Sequence, residues 1–209
     1  AVGGYSATFL NMGLVALLCL ALYVLLGAAA NNVSTLAFLL TVGFTSWGIN
    51  VLNMWPSILG VVLYSLVKRE KLGGNVNAML FSTGLAPLVT ELMVRYPHAE
   101  AVGFRLTGVA LGLAVGVAIG FFLPAGLAHS PKVHKGYDLY SAALPVGMAA
   151  FFLQAVLYKT MGVDLPAAPA AETLKVASRL TVNTFCIAVF GKTQRSEEGF
   201  SRNAETELV

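Results

Sequence analysis

Residues 103–126 read Gly-Phe-Arg-Leu-Thr-Gly-Val-Ala-Leu-Gly-Leu-Ala-Val-Gly-Val-Ala-Ile-Gly-Phe-Phe-Leu-Pro-Ala-Gly. No charge follows Arg105 until Lys132. Gly108, Gly112, Gly116 and Gly120 recur at every fourth position, so a helix places them on one face. In water those glycines would weaken the helix. In lipid they let a second helix backbone come close, because association there depends on packing. The stretch therefore predicts a membrane-embedded helix packed through its glycines against another.

The rest of the chain has the same character. Of 209 residues, 57% are hydrophobic and 11% are charged, with a mean hydropathy of +0.76. A soluble domain carries roughly 25% charged residues. The expected fold class is an all-α, polytopic transmembrane helix bundle of about six or seven segments, some broken or re-entrant. Residues 1–191 are expected to form a single transmembrane domain, and 192–209 a polar tail. The net charge of +3 sits in short loops, so no nucleic-acid partner is expected. Cys19 and Cys186 lie in apolar segments without metal-ligand spacing. No basic segment precedes the first apolar run, so no signal peptide is expected.

Ser6–Ala29 is uncharged and long enough to span. Val33–Val67 is uncharged too, but Gly43, Thr45, Ser46, Gly48, Asn50, Asn53 and Pro56 interrupt it. Two full spans and a turn do not fit into it. It reads as a short helix, an irregular polar turn near Gly48–Asn53, flanked by Trp47 and Trp55, and a second helix from Pro56. Val76–Met93 is a weaker span. Gly103–Ala128 is the glycine-striped helix, and His129–Asp138 is expected to be a basic loop. Leu139–Tyr158 is another span, and Glu172–Gly191 an amphipathic helix.

Alternating segments put Lys68, Arg69, Lys71, Lys132, Lys135, Lys192, Arg195 and Arg202 on one side. Arg95, Arg105 and Lys159 fall on the other. The positive-inside bias makes the first side cytoplasmic, with the N-terminus outside. The location expected is the cell inner membrane. A re-entrant Val33–Val67 is expected to break this count downstream of it.

An internal repeat is also expected. Tyr5-Ser6-Ala7 opens a 19-residue apolar stretch ending at Tyr23, and Tyr140-Ser141-Ala142 opens one of equal length ending at Tyr158. Phe81-Ser82-Thr83 begins a third copy. The common pattern is an aromatic, a serine, two small residues, then apolar positions. Transporters are often built from such duplications, with sites at the repeat interface. Two copies carry a proline soon after the serine (Pro87, Pro145), which frees a backbone carbonyl. Ser82, Thr83 and Ser141 are accordingly expected to line a solute path, narrowed by Tyr140 and Phe81, with Asn50 and Asn53 reaching it from the broken segment.

Gly136-Tyr137-Asp138-Leu139-Tyr140-Ser141-Ala142-Ala143-Leu144 and Phe81-Ser82-Thr83-Gly84-Leu85-Ala86-Pro87-Leu88-Val89 resemble motifs of a family of bacterial inner-membrane proteins of unknown function with repeated halves. The resemblance covers residues 1–160 and implies no activity. The Leu-aromatic-Ser-small-small-Leu pattern is also similar to the Leu-Tyr-Gly-Phe-Asn-Gly-x-Leu signature of urea transporters. The Phe-Asn pair of that signature is absent at the matching positions here.

Glu91 is the one acid in the central apolar segments, and Arg95 follows at ion-pair spacing. His98, His129 and His134 fall in expected loops, and His129 and His134, five apart, have no third ligand nearby, so no metal and no cofactor are expected. No arrangement of nucleophile and base stands out, so no enzyme is expected. The function these residues suggest is a channel or facilitator for a small neutral or polar solute. The other reading is a non-transporting membrane subunit of a larger complex. The partners expected are the lipid bilayer, the solute, and either a second copy of the chain or another membrane chain supplying missing elements.

Overall fold

A computed structural model describes residues 4–96, 103, 105–135, 142–160 and 162. They belong to one compact unit, Ala1–Pro166; a second comprises Ala167–Val209. The described residues are helical, without strands. Among the described residues, three stretches are long and apolar enough to cross a membrane: Ser6–Leu25, Leu72–Arg95 and Leu106–Val133.

Helix α1 (Gly4–Leu25) contains no charged residue. Val15 and Cys19, one turn apart, are buried, while Phe9, Leu10, Leu17 and Val24 are exposed. Such a helix touches the fold along a narrow strip and presents the rest of its apolar surface outward. Gly27, at a φ of 61°, turns the chain after it. Asn31 then caps α2 (Asn32–Gly43) by accepting from the Ser34 backbone N–H at 2.8 Å.

The stretch between residues 33 and 67 is two short helices around an irregular turn. A 3-10 turn, Phe44–Trp47, follows α2 and ends at Gly48, whose φ of 110° favours glycine. Helix α3 (Trp55–Lys68) then starts with Pro56, whose missing N–H is harmless in a first turn. With 12 and 14 residues, the two helices are about 18 and 21 Å long at 1.5 Å per residue. Neither reaches the ~30 Å of a hydrocarbon core.

Leu72–Arg95 is one helical stretch broken at its middle. Helix α4 (Val76–Ser82) passes into a 3-10 turn, Thr83–Leu85, and then into α5 (Ala86–Arg95). Pro87 has no N–H to give the Thr83 carbonyl, and Ala86 donates to it instead. Helix α6 runs Leu106–His134. This corrects the expected loop at His129: the helix continues to Lys135, which closes it at a φ of 51°. The Ser130 hydroxyl bonds back to the Gly126 carbonyl inside it. Polarity alone does not end a helix; a residue in the left-handed region does. Helix α7 (Ala143–Gln154) continues into a π-helical turn, Ala155–Thr160. The expected helix at 172–191 and the polar tail lie outside the described residues.

Side-chain contacts fix the helix directions. Tyr23, near the end of α1, bonds to Asn77 at the start of α4 and to the Ser34 carbonyl at the start of α2. Pro56 lies against Gly116, Gly60 against Gly120, and Tyr64 against Phe121, so α3 runs parallel to α6. Val89 meets Gly116, while Leu92 and Tyr96 meet Gly108, so α5 runs antiparallel to α6. Pro145 meets Gly126, while Leu157 clusters with Leu92 and Leu111, so α7 is antiparallel as well. Helices α2 and α3 thus form a returning pair that starts and finishes at one end of the described fold.

Lys68, Arg69, Lys71, Lys132 and Lys135 share that end, and Arg95, Arg105 and Lys159 share the other. A returning pair followed by two oppositely directed helical passes, α4–α5 and α6, brings the chain back to the same end.

Candidate functional site

Helix α6 is the spine on which the other elements register. An added Cβ at Gly108 would meet the Leu92 carbonyl at 2.7 Å, and one at Gly112 the Met93 Cγ at 2.6 Å. One at Gly116 would meet the Pro56 Cβ at 2.5 Å and the Val89 Cγ2 at 3.2 Å. One at Gly120 would overlap the Ser57 carbonyl oxygen. The stripe is thus divided: its first half lies under α5, its last under α3, and both neighbours touch Gly116. Each of the two arriving helices begins with a proline in its first turn.

The polar turn sits beside that meeting point. Asn53 is 4% exposed. Its Nδ2 donates to the Gly48 carbonyl and to the Thr90 hydroxyl of α5, each at 2.9 Å. Its Oδ1 accepts from the Asn50 backbone N–H, while Asn50 Oδ1 accepts from the backbone N–H groups of Leu52 and Asn53. The two asparagines therefore satisfy each other's backbone, as asparagines do in turns. Asn11 of α1 reaches in from another side, its Nδ2 donating to the Ile49 carbonyl at 2.8 Å. Gly48 rests against Pro87. The outer surface of the turn is apolar, with Trp47 80% and Leu52 83% exposed.

Of the expected hydroxyl residues, Ser82 and Thr83 lie at the α4–α5 break and are buried. The Ser82 hydroxyl donates to the Met79 carbonyl at 2.7 Å, and that of Thr83 to the Leu80 carbonyl at 2.6 Å. Both bond back into their own helix. Beside them, Leu40, Thr41, Phe44, Leu80, Phe81, Thr83 and Gly84 line a void of about 10 Å³, the scale of one water molecule. Phe81 is buried in the main core cluster. Ser6 is exposed in the first turn of α1, and Tyr140 and Ser141 lie outside the described residues. Among the described residues, Ser82, Thr83 and Phe81 are together at the break, and Asn50 and Asn53 are together in the turn. A separate, shallow apolar recess of about 500 Å³ runs along α7, lined by Leu144, Met148, Phe151 and Phe152 among others.

Glu91 and Arg95 form the ion pair their spacing suggested, at 3.4 Å. Among the described residues no group of His, Cys, Asp and Glu is placed to hold a metal. No buried side-chain polar atom there lacks a partner. The sequence reading missed Asn11 and Thr90 as partners of the turn. Asn11 was visible as the one amide in an otherwise apolar span. Thr90, beside the charged Glu91, carried no such signal.

Residues 1–159 match the model of a family described as proteins of unknown function, DUF1576, and the chain belongs to that family. No curated protein and no solved structure matched the chain.

Proposed function

We propose that this member of a family without an assigned activity is a multi-pass inner-membrane protein that passes a small neutral or polar solute. The polar turn at residues 48–53 carries the reading. At 1.5 Å per residue, Asn11 lies about 7 Å from the midpoint of its span, and Thr90 about 10 Å from the midpoint of its own. Both depths fall inside a hydrocarbon half-thickness of ~15 Å. Irregular backbone at such depth persists where protein buries it or a water-filled cavity meets it. A turn held there by amides, beside two proline-started half-helices, is the kind of element from which transporter sites are made. The set carries no charge, which suits a solute that is neutral or carried in neutral form. The end bearing Lys68–Lys71 and Lys132–Lys135 is assigned to the cytoplasm, which puts α1's start outside.

One observation favours the second reading, a non-transporting subunit packed into a larger membrane complex. The hydroxyls at the α4–α5 break bond inward, and the void beside them holds at most about one water. A partner chain or a second copy would then cover the outward apolar faces.

Solute flux into proteoliposomes, scanning urea, ammonia and glycerol, separates the two. The transport reading expects flux above empty vesicles for at least one solute, reduced in Asn53→Leu protein that remains folded. Flux no greater than in empty vesicles, together with co-purification of a stoichiometric membrane chain, favours the subunit.

A further inference from the structure

Helices α3 and α6 lie parallel and closely packed, and both end on a cation in the left-handed region. Arg69 has a φ of 57° and Lys135 a φ of 51°; they are the two non-glycine residues with positive φ among the described residues. Glycine is the usual occupant of that position, because a side chain there is strained. Lys68, Lys71 and Lys132 stand beside them, and all five cations are exposed. None has a carboxylate partner among the described residues, where the one ion pair is Arg95–Glu91. The acid nearest in sequence to the first three, Glu70, accepts instead from Asn75 Nδ2 at 2.8 Å. Helix dipoles favour cations at both C-termini, but they require neither five of them nor their convergence at one end.

We propose that the α3–α6 end binds the phosphodiester of an anionic phospholipid, with Lys68, Arg69 and Lys71 on one flank and Lys132 and Lys135 on the other. The inference rests on the membrane part of the reading above and is independent of transport. Charge complementarity selects the occupant: clustered Lys and Arg next to apolar helix ends attract anionic headgroups. Around them, Leu66, Val67 and Val133 are exposed apolar residues that acyl chains would cover.

The test uses the purified full chain in neutral detergent, titrated with short-chain phosphatidylglycerol, short-chain phosphatidylcholine or glycerol phosphate, and reads the thermal midpoint. Phosphatidylglycerol is expected to raise the midpoint in a salt-sensitive way, and the other two are not. Arg69→Gln/Lys71→Gln and Lys132→Gln/Lys135→Gln should each weaken phosphatidylglycerol at least about tenfold. Arg105→Gln/Lys159→Gln, at the opposite end, should bind as wild type, as should Lys132→Arg/Lys135→Arg. Midpoints without lipid report whether each variant folds. Equal binding of phosphatidylcholine, unchanged affinity in both basic-end variants, or an equal loss in the opposite-end variant overturns the proposal. Equally tight glycerol phosphate assigns the site to free phosphate esters and also overturns it. Absent flux leaves the proposal standing, whereas recovery of the chain in water without detergent removes the membrane reading beneath it.

Discussion

Gly60 and Gly120 face each other across α3 and α6, so near that a Cβ added to Gly60 would lie 2.8 Å from the Gly120 Cα. A Cβ added to Gly120 would lie 3.0 Å from the Gly60 Cα and would overlap the Ser57 carbonyl. The obstacle in both cases is backbone, which cannot rotate aside. Gly60→Ala or Gly120→Ala must push the helices apart, and a loss of about 1–3 kcal/mol is expected. Reversible unfolding in mixed micelles measures it. Gly13→Ala is the control: nothing lies within 4 Å of that added methyl. In the interior of α1 it should be neutral or stabilise by up to about 1 kcal/mol.

Asn53 holds the turn from the inside. Asn53→Leu keeps the volume but leaves the Asn50 N–H without its acceptor and removes the amide donor from the Thr90 hydroxyl and the Gly48 carbonyl, so a loss of about 1–3 kcal/mol is expected. Asn11→Leu orphans a single carbonyl and should cost less. A thermal series ranking Asn11→Leu as the more damaging variant would contradict the assignment of Asn53 as the central residue.

The hydroxyls at the break should matter little for stability. Ser82→Ala removes a bond that the hydroxyl makes to its own helix, and less than about 1 kcal/mol is at stake. If Ser82 also lines the solute path, its removal should still alter flux. Parallel stability and flux measurements on Ser82→Ala and Thr83→Val separate packing from passage, and unchanged flux in both would take these residues out of the path.

Sidedness is tested with single cysteines in a Cys19→Ala/Cys186→Ala background. Ser130 is buried at 1% exposure and is a poor probe, whereas Gly74, Lys132 and Arg105 are exposed. Impermeant reagent should label Gly74→Cys and Lys132→Cys from one side of sealed vesicles and Arg105→Cys from the other. Labelling of Gly74→Cys and Lys132→Cys from opposite sides would contradict the parallel arrangement of α3 and α6.

The glycine stripe was legible because a four-residue period is a local property, and it sits against two helices as close packing requires. The broken segment was legible through Gly48, the asparagines and Pro56, which each act on their own neighbourhood. What the stripe meets was not legible. Its division between α5 and α3 depends on Gly60, a lone glycine whose partner lies 60 residues away in the chain. The end of α6 was not legible, because charge at 129–135 does not stop a helix and the left-handed backbone at Lys135 does. The local bonding of Ser82 could not be read from its neighbours' names.

The returning pair α2–α3 is synthesised before most of the surfaces that hold it. Of the outside groups that clasp its turn, Asn11 is already made when the pair emerges, but Thr90 comes 37 residues after Asn53. The glycines that seat α3 come later still. During elongation from the N-terminus, the amides of the turn have water as their remaining partner until α5 and α6 are complete. On the membrane reading proposed above, the pair is expected to dock only once α5 and α6 exist to receive it. The same reading expects ribosomes stalled before Gly120 to hold a chain whose polar turn is still accessible to water.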